Sequence, residues 1–438
     1  MSLSQRDAAV IWHPYTQTKN SDLPVAIVRG EGAHLFDEQN NLYIDAISSW
    51  WVNTHGHAHP HIAEKVYEQL KTLEHVIFAG FTHEPAINLA ERLLKILPDN
   101  QSRIFYSDNG STAVEVALKM AFQYWQNTGQ EKKKIIAFHS AYHGDTFGAM
   151  SVSERSAFTR PFFPFLFDII FIDLPVKGKE ELTKSQLNEC LKNNDIAAFI
   201  FEPLVQGAAG MVMYAPEILD ELIVMCQQKK VLTIADEVFT GFGRTGKFFA
   251  IDHLSQQPDI MCLSKGLTGG TLPLGVTSST SEIYNAFISD DSGKTFFHGH
   301  SFTGNPIGCA AALAGLDLFE KTDTWKNISR ISNKHESFRE DLLRNYSDLP
   351  TGGKFPLKEI RQTGTILALE IDTYTETSYF SEIRNTIYAF FMEKKIILRP
   401  LGNIIYIVPP YCISDEDLDY IYNSIKEFLS TLHDKLKK

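Results

Sequence analysis

The chain has 438 residues, of which 44% are hydrophobic and 21% are charged, a composition typical of a folded protein with large buried cores. Its formal net charge of −12 at pH 7 argues against sequence-independent binding of nucleic acid and against attraction to an anionic membrane surface. The N-terminus has no signal-peptide pattern and no apolar run is long enough to span a bilayer, so we expect a cytoplasmic protein.

In chain order, the first predicted element is a hairpin over residues 33–48 with its turn at Asn40 and Asn41, followed by a helix over 61–73. A regular alternation of short apolar runs and helical patterns comes next. Buried strands are predicted at 103–107, 134–138, 168–172, 197–201, 231–235 and 259–263, and helices at 111–126, 217–230 and 307–321. The last part mixes a strand at 365–371 with helices at about 378–394 and 415–433.

Strands that alternate with helices predict an α/β fold with a largely parallel sheet covered on both faces. We therefore predict a large domain over residues 60–325. The two flanks, residues 1–59 and 326–438, have mixed patterns and are expected to form together a smaller α+β domain.

Polar residues follow several of the predicted buried strands. Asp236 comes directly after 231–235, Glu202 follows 197–201, and Lys265 lies two positions after 259–263. Ligands of such sheets bind at the carboxyl ends of the strands, so these side chains are expected to meet at one edge. Each residue alone is most simply a solvated loop charge, but together they indicate chemistry.

A lysine in a desolvated pocket can be a free base at neutral pH and can form an imine with a carbonyl compound. Pyridoxal phosphate requires such a lysine, a carboxylate that keeps its ring nitrogen protonated, and a phosphate site. Lys265 and Asp236 are candidates for the first two. Thr112 and Glu115 have capping-box spacing, which predicts a helix start whose free N–H groups at Gly110 and Ser111 could hold the phosphate.

A competing interpretation comes from residues 241–246, GFGRTG, which match the dinucleotide-binding pattern and would indicate an NAD-linked oxidoreductase. That interpretation requires a strand that leads directly into the glycines and a helix that opens on them. Here five residues separate the glycines from the strand, and no helix-start signal follows. We therefore do not expect a dinucleotide site.

Residues 234–250, IADEVFTGFGRTGKFFA, followed by residues 262–275, CLSKGLTGGTLPLG, resemble the signature of the class III, fold type I pyridoxal-phosphate-dependent aminotransferases. The resemblance extends over almost the whole chain. It implies a mainly parallel, seven-stranded type of sheet in the large domain and a homodimer with active sites at the subunit interface.

The resemblance also implies roles for the site residues. Lys265 would hold the cofactor and then move a proton, Asp236 would pair with the pyridine nitrogen, and Tyr142 would stack on the ring. Gly110 and Ser111 would bind the phosphate, and Gly299, His300 and Ser301 of the neighbouring subunit would complete that phosphate site.

Within the family, segments such as 12–17, 48–56 and 398–411 are similar to the enzymes of biotin biosynthesis. This implies S-adenosylmethionine as amino donor and 8-amino-7-oxononanoate as acceptor. Another long amine or keto acid, or lysine as donor, stays an alternative, because His300 and the sequence after Lys265 depart from the pattern of the biotin enzymes. The residues implied for substrate binding are Tyr15, Trp50, Trp51, Asp145, Arg244 and Arg399.

Four histidines occupy alternate positions in the segment 48–62, at His55, His57, His59 and His61. Alternation could align them on a strand, but Gly56 and Pro60 make an extended ladder unfavourable. The five cysteines are also far apart, so no metal site is expected. We expect the histidines to shape the turn into the helix over 61–73 and to support Trp50 and Trp51.

Overall fold

A computed structural model of the chain describes residues 1–320, 322–346, 357–373, 381 and 383–436. Its strands are β1 (Ile27–Glu31), β2 (His34–Asp37), β3 (Leu42–Asp45), β4 (Gln101–Ser107), β5 (Lys134–Phe138), β6 (Ile170–Ile172), β7 (Ile196–Phe201), β8 (Val205–Gln206), β9 (Val212–Met213), β10 (Leu232–Asp236), β11 (Ile260–Leu263), β12 (Gly275–Thr280), β13 (Leu357–Thr363), β14 (Ile366–Ile371), β15 (Ile396–Ile397) and β16 (Ile404–Ile407). Its helical segments are α1 (Leu3–Ala8), α2 (Ser48–Trp51), α3 (Pro60–Leu70), α4 (Glu84–Ile96), α5 (Gly110–Asn127), α6 (Phe147–Ser151), α7 (Glu180–Cys190), α8 (Pro216–Gln228), α9 (Ser281–Asn285), α10 (Pro306–Glu320), α11 (Thr322–Tyr346), α12 (Ile383–Glu393) and α13 (Asp415–Leu436).

The central sheet has seven strands in the order β4-β12-β11-β10-β7-β5-β6. The neighbours from β11 to β6 pair in parallel, whereas β12 runs antiparallel to both β11 and β4. All six strands predicted from apolar runs are present in this sheet, which confirms the predicted α/β fold with a largely parallel sheet. The middle strand β7 is buried along its whole length, as expected for a strand covered on both faces.

Strand β12 was not predicted, because its sequence GVTSST has no apolar run. Most of its small hydroxyl side chains are nevertheless buried, and two of them form hydrogen bonds with residues of other elements. The Thr277 hydroxyl donates to the Ala113 carbonyl at 2.8 Å, and the Ser278 hydroxyl donates to Gln101 Oε1 at 2.7 Å. Satisfied hydrogen bonds thus let a polar strand occupy the interior of the sheet.

Both ends of the chain contribute to one smaller sheet, in the order β1-β2-β3-β15. The β2–β3 hairpin turns at Asn40 and Asn41, as predicted, and Asn40 has the positive φ of 62° that such a turn requires. The C-terminal strand β15 pairs in parallel with β3. This pairing joins the two flanks, whereas the exact bounds proposed for the domains stay a prediction.

The C-terminal region agrees with the predicted pattern where it is described. Strand β14 lies within a three-stranded sheet of order β13-β14-β16, and α13 begins at the predicted residue. The predicted helix over 378–394 begins outside the described residues, and its described part is α12. Within the described residues, no helix is both long and apolar enough to cross a membrane.

Candidate active site

The carboxyl ends of neighbouring sheet strands bring the predicted polar residues to one edge. Strand β10 ends on Asp236, β7 is followed by Glu202, and β11 is followed by Ser264 and Lys265. Strand β12 runs antiparallel to both β11 and β4, so β4 runs in the same direction as β11. The start of α5, which follows β4, therefore lies at the same edge. The sheet therefore creates the convergence that the sequence predicted.

Lys265 lies in a short 3₁₀ turn and is enclosed by aromatic rings. Its Nζ atom lies 4.8 Å from the ring centroid of Trp51 and 5.8 Å from that of Phe239. Burial lowers the pKa of this lysine from 10.5 to about 8, although the nearby carboxylates of Asp236 and Glu202 oppose the shift. Roughly a tenth of the amine is therefore unprotonated at pH 7 and able to act as a nucleophile.

Asp236 is 4% exposed and is held by two hydrogen bonds. One carboxylate oxygen lies 2.7 Å from His143 Nδ1, and the other accepts from the Val238 N–H at 3.1 Å. His143 is itself buried, and its second ring nitrogen has no hydrogen-bond partner among the described residues. The two hydrogen bonds fix the orientation of the Asp236 carboxylate in the site.

Glu202 is a buried carboxyl group that joins two loops of the site. It accepts hydrogen bonds from the N–H groups of Tyr142 and Gly207, each at 3.0 Å. Gly207 supports the aromatic wall, because a Cβ atom there would lie 3.0 Å from the Phe239 ring and 3.2 Å from the Trp51 ring. Burial raises the pKa of Glu202 to about 7.

The N-terminus of α5 presents free backbone donors. Asn109 is its N-cap and accepts from the Thr112 N–H at 3.0 Å, which leaves the N–H groups of Gly110 and Ser111 outside the helical bonding pattern. The predicted capping box of Thr112 with Glu115 is wrong, because the helix starts one turn earlier. Glu115 instead accepts from the Gly148 and Ala149 N–H groups at 2.7 and 3.1 Å.

The residues at this edge fit pyridoxal phosphate. Two free N–H groups and the positive end of the α5 dipole suit a phosphate. The cradle there is tight, since a Cβ atom at Gly110 would lie 2.6 Å from Val238 Cγ1. The N-terminus of α5, the half-buried Lys265 and the fixed Asp236 are thus the three elements that the cofactor requires.

The segment Ser48–Trp51 forms a left-handed turn with φ values of 49°, 46°, 79° and 71°. Left-handed backbone costs an ordinary residue roughly 1–2 kcal/mol, so four in succession need strong support. The turn brings Trp50 and Trp51 to the site. Trp51 packs on Phe239 with ring centroids 4.6 Å apart, and Trp50 packs on Tyr15 at 5.6 Å.

Arg399 and Asp145 lie around this aromatic wall. The Arg399 guanidinium lies 4.6 Å from the Trp50 ring centroid, and it makes no hydrogen bond or ion pair with another described residue. Asp145 is exposed and accepts a hydrogen bond from the Tyr15 hydroxyl. Burial raises the pKa of the neighbouring Tyr142 phenol, with a further contribution from the Asp145 charge. Because the Arg399 guanidinium has no such partner among the described residues, it is available to bind a carboxylate ligand.

Arg244 lies behind the aromatic wall, and its role in substrate binding stays a prediction. It is 1% exposed and donates to the carbonyls of Pro409 at 2.8 Å and Trp51 at 3.3 Å. The pattern around it, residues 241–246, forms a turn that continues into a 3₁₀ helix at Ala250–His253 rather than into an α-helix. Arg244 thus supports the backbone of Trp51 from behind, and the dinucleotide-binding context is missing.

The segment predicted to complete the phosphate site lies before α10. Gly299 and Ser301 are exposed, and His300 is partly buried with Nδ1 3.6 Å from Asp108 Oδ2 of the same chain. Lys119 Nζ lies 2.9 Å from His298 Nδ1 nearby. These contacts bring the segment near the start of its own α5, whereas its contribution to a neighbouring subunit stays a prediction.

The four alternating histidines point to different partners. His55 packs on Phe319 with centroids 4.8 Å apart, and burial lowers its pKa to about 3. His57 contacts Asp45 and His61 contacts Asp317, each at 2.9 Å, while His59 caps α3. In the described part of the chain, no group of three His, Cys, Asp or Glu side chains could hold a metal ion.

Sequence reasoning missed several residues that shape this site, namely His143, Phe239, Asp45 and His57 in its bonded role. His143 directly follows Tyr142 in the sequence, so its closeness to the residue expected to stack on the cofactor ring could have been noticed. Its contact with Asp236, 93 positions away, follows only from the adjacency of loops in the folded sheet.

Comparison with known proteins agrees with this geometry. The family model "Aminotransferase class-III" matches residues 15–429. The chain is 46% identical to the adenosylmethionine-8-amino-7-oxononanoate aminotransferase of Synechococcus elongatus, over 96% of this chain and 99% of that protein. It is 40% identical to the protein of the same name from Geobacter sulfurreducens, with 98% of each covered.

Solved structures extend the likeness to the fold. The crystal structure of adenosylmethionine-8-amino-7-oxononanoate aminotransferase from Methanocaldococcus jannaschii has a TM-score of 0.88 at 36% identity, covering 97% of this chain and 98% of that one. An omega transaminase from Pseudomonas jessenii, in complex with PMP, has a TM-score of 0.90 at 26% identity with 98% of each chain covered. With its sheet, its lysine and its helix N-terminus in this arrangement, the chain belongs to the class III aminotransferases.

Proposed function

We propose that the chain transfers the amino group of S-adenosylmethionine to 8-amino-7-oxononanoate, giving 7,8-diaminononanoate for biotin synthesis, with pyridoxal phosphate as cofactor. Two relatives that are 46% and 40% identical over nearly the whole chain are named for this reaction. Tyr15, Trp50 and Arg399 all lie within residues 15–429, which the family model matches.

One observation supports the proposal best, namely the order in which four side chains lie along the site: Lys265, Trp51, Trp50 and Arg399. The amine lies against the Trp51 ring, and the unpaired guanidinium lies against the adjacent Trp50 ring. An acceptor with a ketone near one end and a carboxylate at the other can lay its methylene chain along this wall. Burying its five methylenes between these groups contributes up to about 4 kcal/mol.

When bound, pyridoxal phosphate stabilises negative charge on the substrate carbon that loses or gains the amine. In that setting, the Lys265 amine takes up and returns the proton at this carbon. The Asp236 carboxylate, oriented by His143, holds the proton at the ring nitrogen. The Gly110 and Ser111 N–H groups bind the phosphate, and Tyr142 covers the ring.

Arg399 binds the substrate carboxylate through its planar guanidinium, which can donate two parallel hydrogen bonds. Tyr15, Trp50 and Trp51 exclude water from the chain of the substrate. Asp145, which is exposed next to Tyr15, is suited as a counter-charge for a cationic donor such as a sulfonium.

The proposal includes a cytoplasmic homodimer in which Gly299, His300 and Ser301 of each subunit complete the phosphate site of the other. Two exposed aromatic residues support an interface at this segment. Phe297 is 75% exposed and Phe302 is 62% exposed, and apolar area of this kind on both sides of a segment favours burial against a second subunit.

The visible spectrum of the holoenzyme tests the reaction directly. Adding S-adenosylmethionine without acceptor should convert the absorbance of the aldehyde form of the cofactor into that of its amine form. Adding 8-amino-7-oxononanoate should then reverse the change. A spectrum that responds to lysine or a diamine but not to S-adenosylmethionine would reject this donor and favour another aminotransferase reaction.

The variant Lys265→Ala tests the class of reaction. We expect it to abolish turnover and to remove the cofactor adduct that borohydride traps on the wild-type chain. Lys133→Ala, on an exposed loop, is the matched control and should leave both unchanged. Full activity of Lys265→Ala would contradict the assignment as an aminotransferase.

A further inference from the structure

The left-handed turn Ser48–Trp51 carries both tryptophans of the proposed substrate pocket, and its backbone is unfavourable for all four residues. Such a turn persists only where surrounding groups hold it. Part of the support is a set of bonds to other parts of the backbone, since the Ser48 hydroxyl donates to the Val408 carbonyl at 2.8 Å. Arg244 also donates to the Trp51 carbonyl, at 3.3 Å. A further part of the support comes from one acidic side chain.

Asp45 is fully buried and lies at the end of β3, immediately before the turn. Its Oδ1 atom accepts from the N–H groups of Ile47 at 3.2 Å and Ser49 at 3.0 Å. Its Oδ2 atom accepts from the Ser49 hydroxyl at 2.8 Å and bonds to His57 Nε2 at 2.9 Å. One carboxylate thus accepts from two donors of the turn, from the N–H of Ile47 just before it, and contacts one imidazole.

His57 is fixed on its other sides. Its backbone exchanges two hydrogen bonds with Gly32, at 2.7 and 3.2 Å, and its Nδ1 atom lies 3.1 Å from Asn53 Nδ2. Contact between Asn53 and Nδ1 favours a proton on Nε2, which is the nitrogen that faces Asp45. The imidazole can therefore orient the carboxylate through Oδ2, the oxygen that also accepts from the Ser49 hydroxyl.

We propose that Asp45 and His57 are positioning residues for the substrate pocket, because together they hold the left-handed turn that sets Trp51 against Lys265 and Trp50 against Arg399. Neither residue touches the reacting groups. They determine the positions of the Trp50 and Trp51 rings. We therefore expect them to affect the affinity for a long acceptor and not the proton transfer. The inference rests on the proposed function for its choice of acceptor.

The experiment compares three variants of the holoenzyme. His57→Leu removes the donor to Asp45, His57→Gln replaces it with an amide that can still donate, and Ser49→Ala removes only the hydroxyl bond. His61→Leu is the matched control, since it breaks a histidine–aspartate contact of the same 2.9 Å length that is outside the turn. Two quantities are measured: KM and kcat for 8-amino-7-oxononanoate, and the near-ultraviolet circular dichroism of the tryptophans.

We expect His57→Leu to raise KM by about 10- to 100-fold with a much smaller change in kcat, because displaced walls lose contacts with the substrate. Ser49→Ala should shift KM in the same direction by less, and His57→Gln should restore it to within about 3-fold. The circular dichroism band that is absent from Trp51→Phe should weaken in His57→Leu and return in His57→Gln.

The circular dichroism does not depend on the substrate, so it separates the two proposals. If the wild type does not use this acceptor but the band changes as expected, the proposed substrate fails and the positioning role stands. If KM and the band are unchanged in both His57→Leu and Ser49→Ala, the positioning role is overturned. The same conclusion follows if His57→Leu does not fold and Ser49→Ala is unaltered, or if His61→Leu produces an equal effect.

Discussion

Replacing Lys265 by methionine should stabilise the cofactor-free chain, although it destroys the proposed activity. The Lys265 side chain is partly buried, and this burial lowers its pKa from 10.5 to about 8. A folded state that binds protons more weakly than the unfolded state is penalised wherever the group is charged in both states. Methionine has nearly the same length and carries no charge.

The magnitude follows from the change in pKa. Lowering it from 10.5 to about 8 corresponds to about 3 kcal/mol against the charged form, at about 1.4 kcal/mol for each tenfold change in the constant. The face of Trp51, 4.8 Å from the amine, offsets about 1 kcal/mol of this. We therefore expect Lys265→Met to raise the free energy of unfolding of the apoprotein by about 2 kcal/mol at pH 7.

Urea unfolding of the two apoproteins across a pH series would measure this difference. The penalty is fully present below pH 8, where lysine is charged in both states, and it disappears as pH rises from 8 towards 10.5. The gain from Lys265→Met should shrink over that window. Lys133→Met, at a residue whose side chain is 74% exposed, is the control and should change stability by less than about 0.5 kcal/mol.

A gain at pH 7 that does not shrink at high pH would refute the reasoning, because it would arise from packing and not from the buried charge. Loss of stability at pH 7 would refute it more directly. In that case the attraction of Asp236 and Glu202 for the ammonium would outweigh its burial.

Two further predictions concern residues around the lysine. Arg399→Gln should raise KM for a carboxylate-bearing acceptor by about 10- to 100-fold, because a charged hydrogen-bond pair is worth roughly 1.5–3 kcal/mol. Arg399→Lys should recover part of this loss. An unchanged KM for both variants would contradict carboxylate binding by Arg399. Glu202 has its pKa raised by burial from 4.5 to about 7, so the folded chain binds the extra proton and loses stability as pH rises through this range. Glu202→Gln should remove up to about 3 kcal/mol of that decline in urea unfolding, and parallel pH curves for the two proteins would argue against the shift.

Much of the sheet could be predicted because its strands are buried on both faces and therefore consist of continuous apolar runs. Strand β12 escaped prediction for the opposite reason. Its buried threonine and serines are compatible with the interior only because Ala113 and Gln101 are positioned to bond them. A partner so distant in sequence leaves no local pattern.

The candidate site was predictable to the extent that topology alone brings residues together. Lys265, Asp236 and Glu202 directly follow strands, so a parallel sheet necessarily gathers them. The contacts of Arg244 could not be predicted, because the carbonyls of Trp51 and Pro409 that accept its hydrogen bonds are distant in the chain. The capping box of α5 was misjudged because two overlapping capping patterns compete there, and the one that begins at Asn109 is used.

The sequence by itself determined the class of fold and the positions, at strand ends, of the lysine and the carboxylate that we propose bind the cofactor, because these depend on hydrophobic periodicity and on where strands end. Only the tertiary structure decided the environment of those groups. The lowered pKa of Lys265, the fixing of Asp236 by His143, and the support of the left-handed turn by Asp45 and His57 all arise from burial and from contacts between distant segments. Desolvation and hydrogen-bond geometry belong to the packed molecule, and a linear pattern of residues does not contain them.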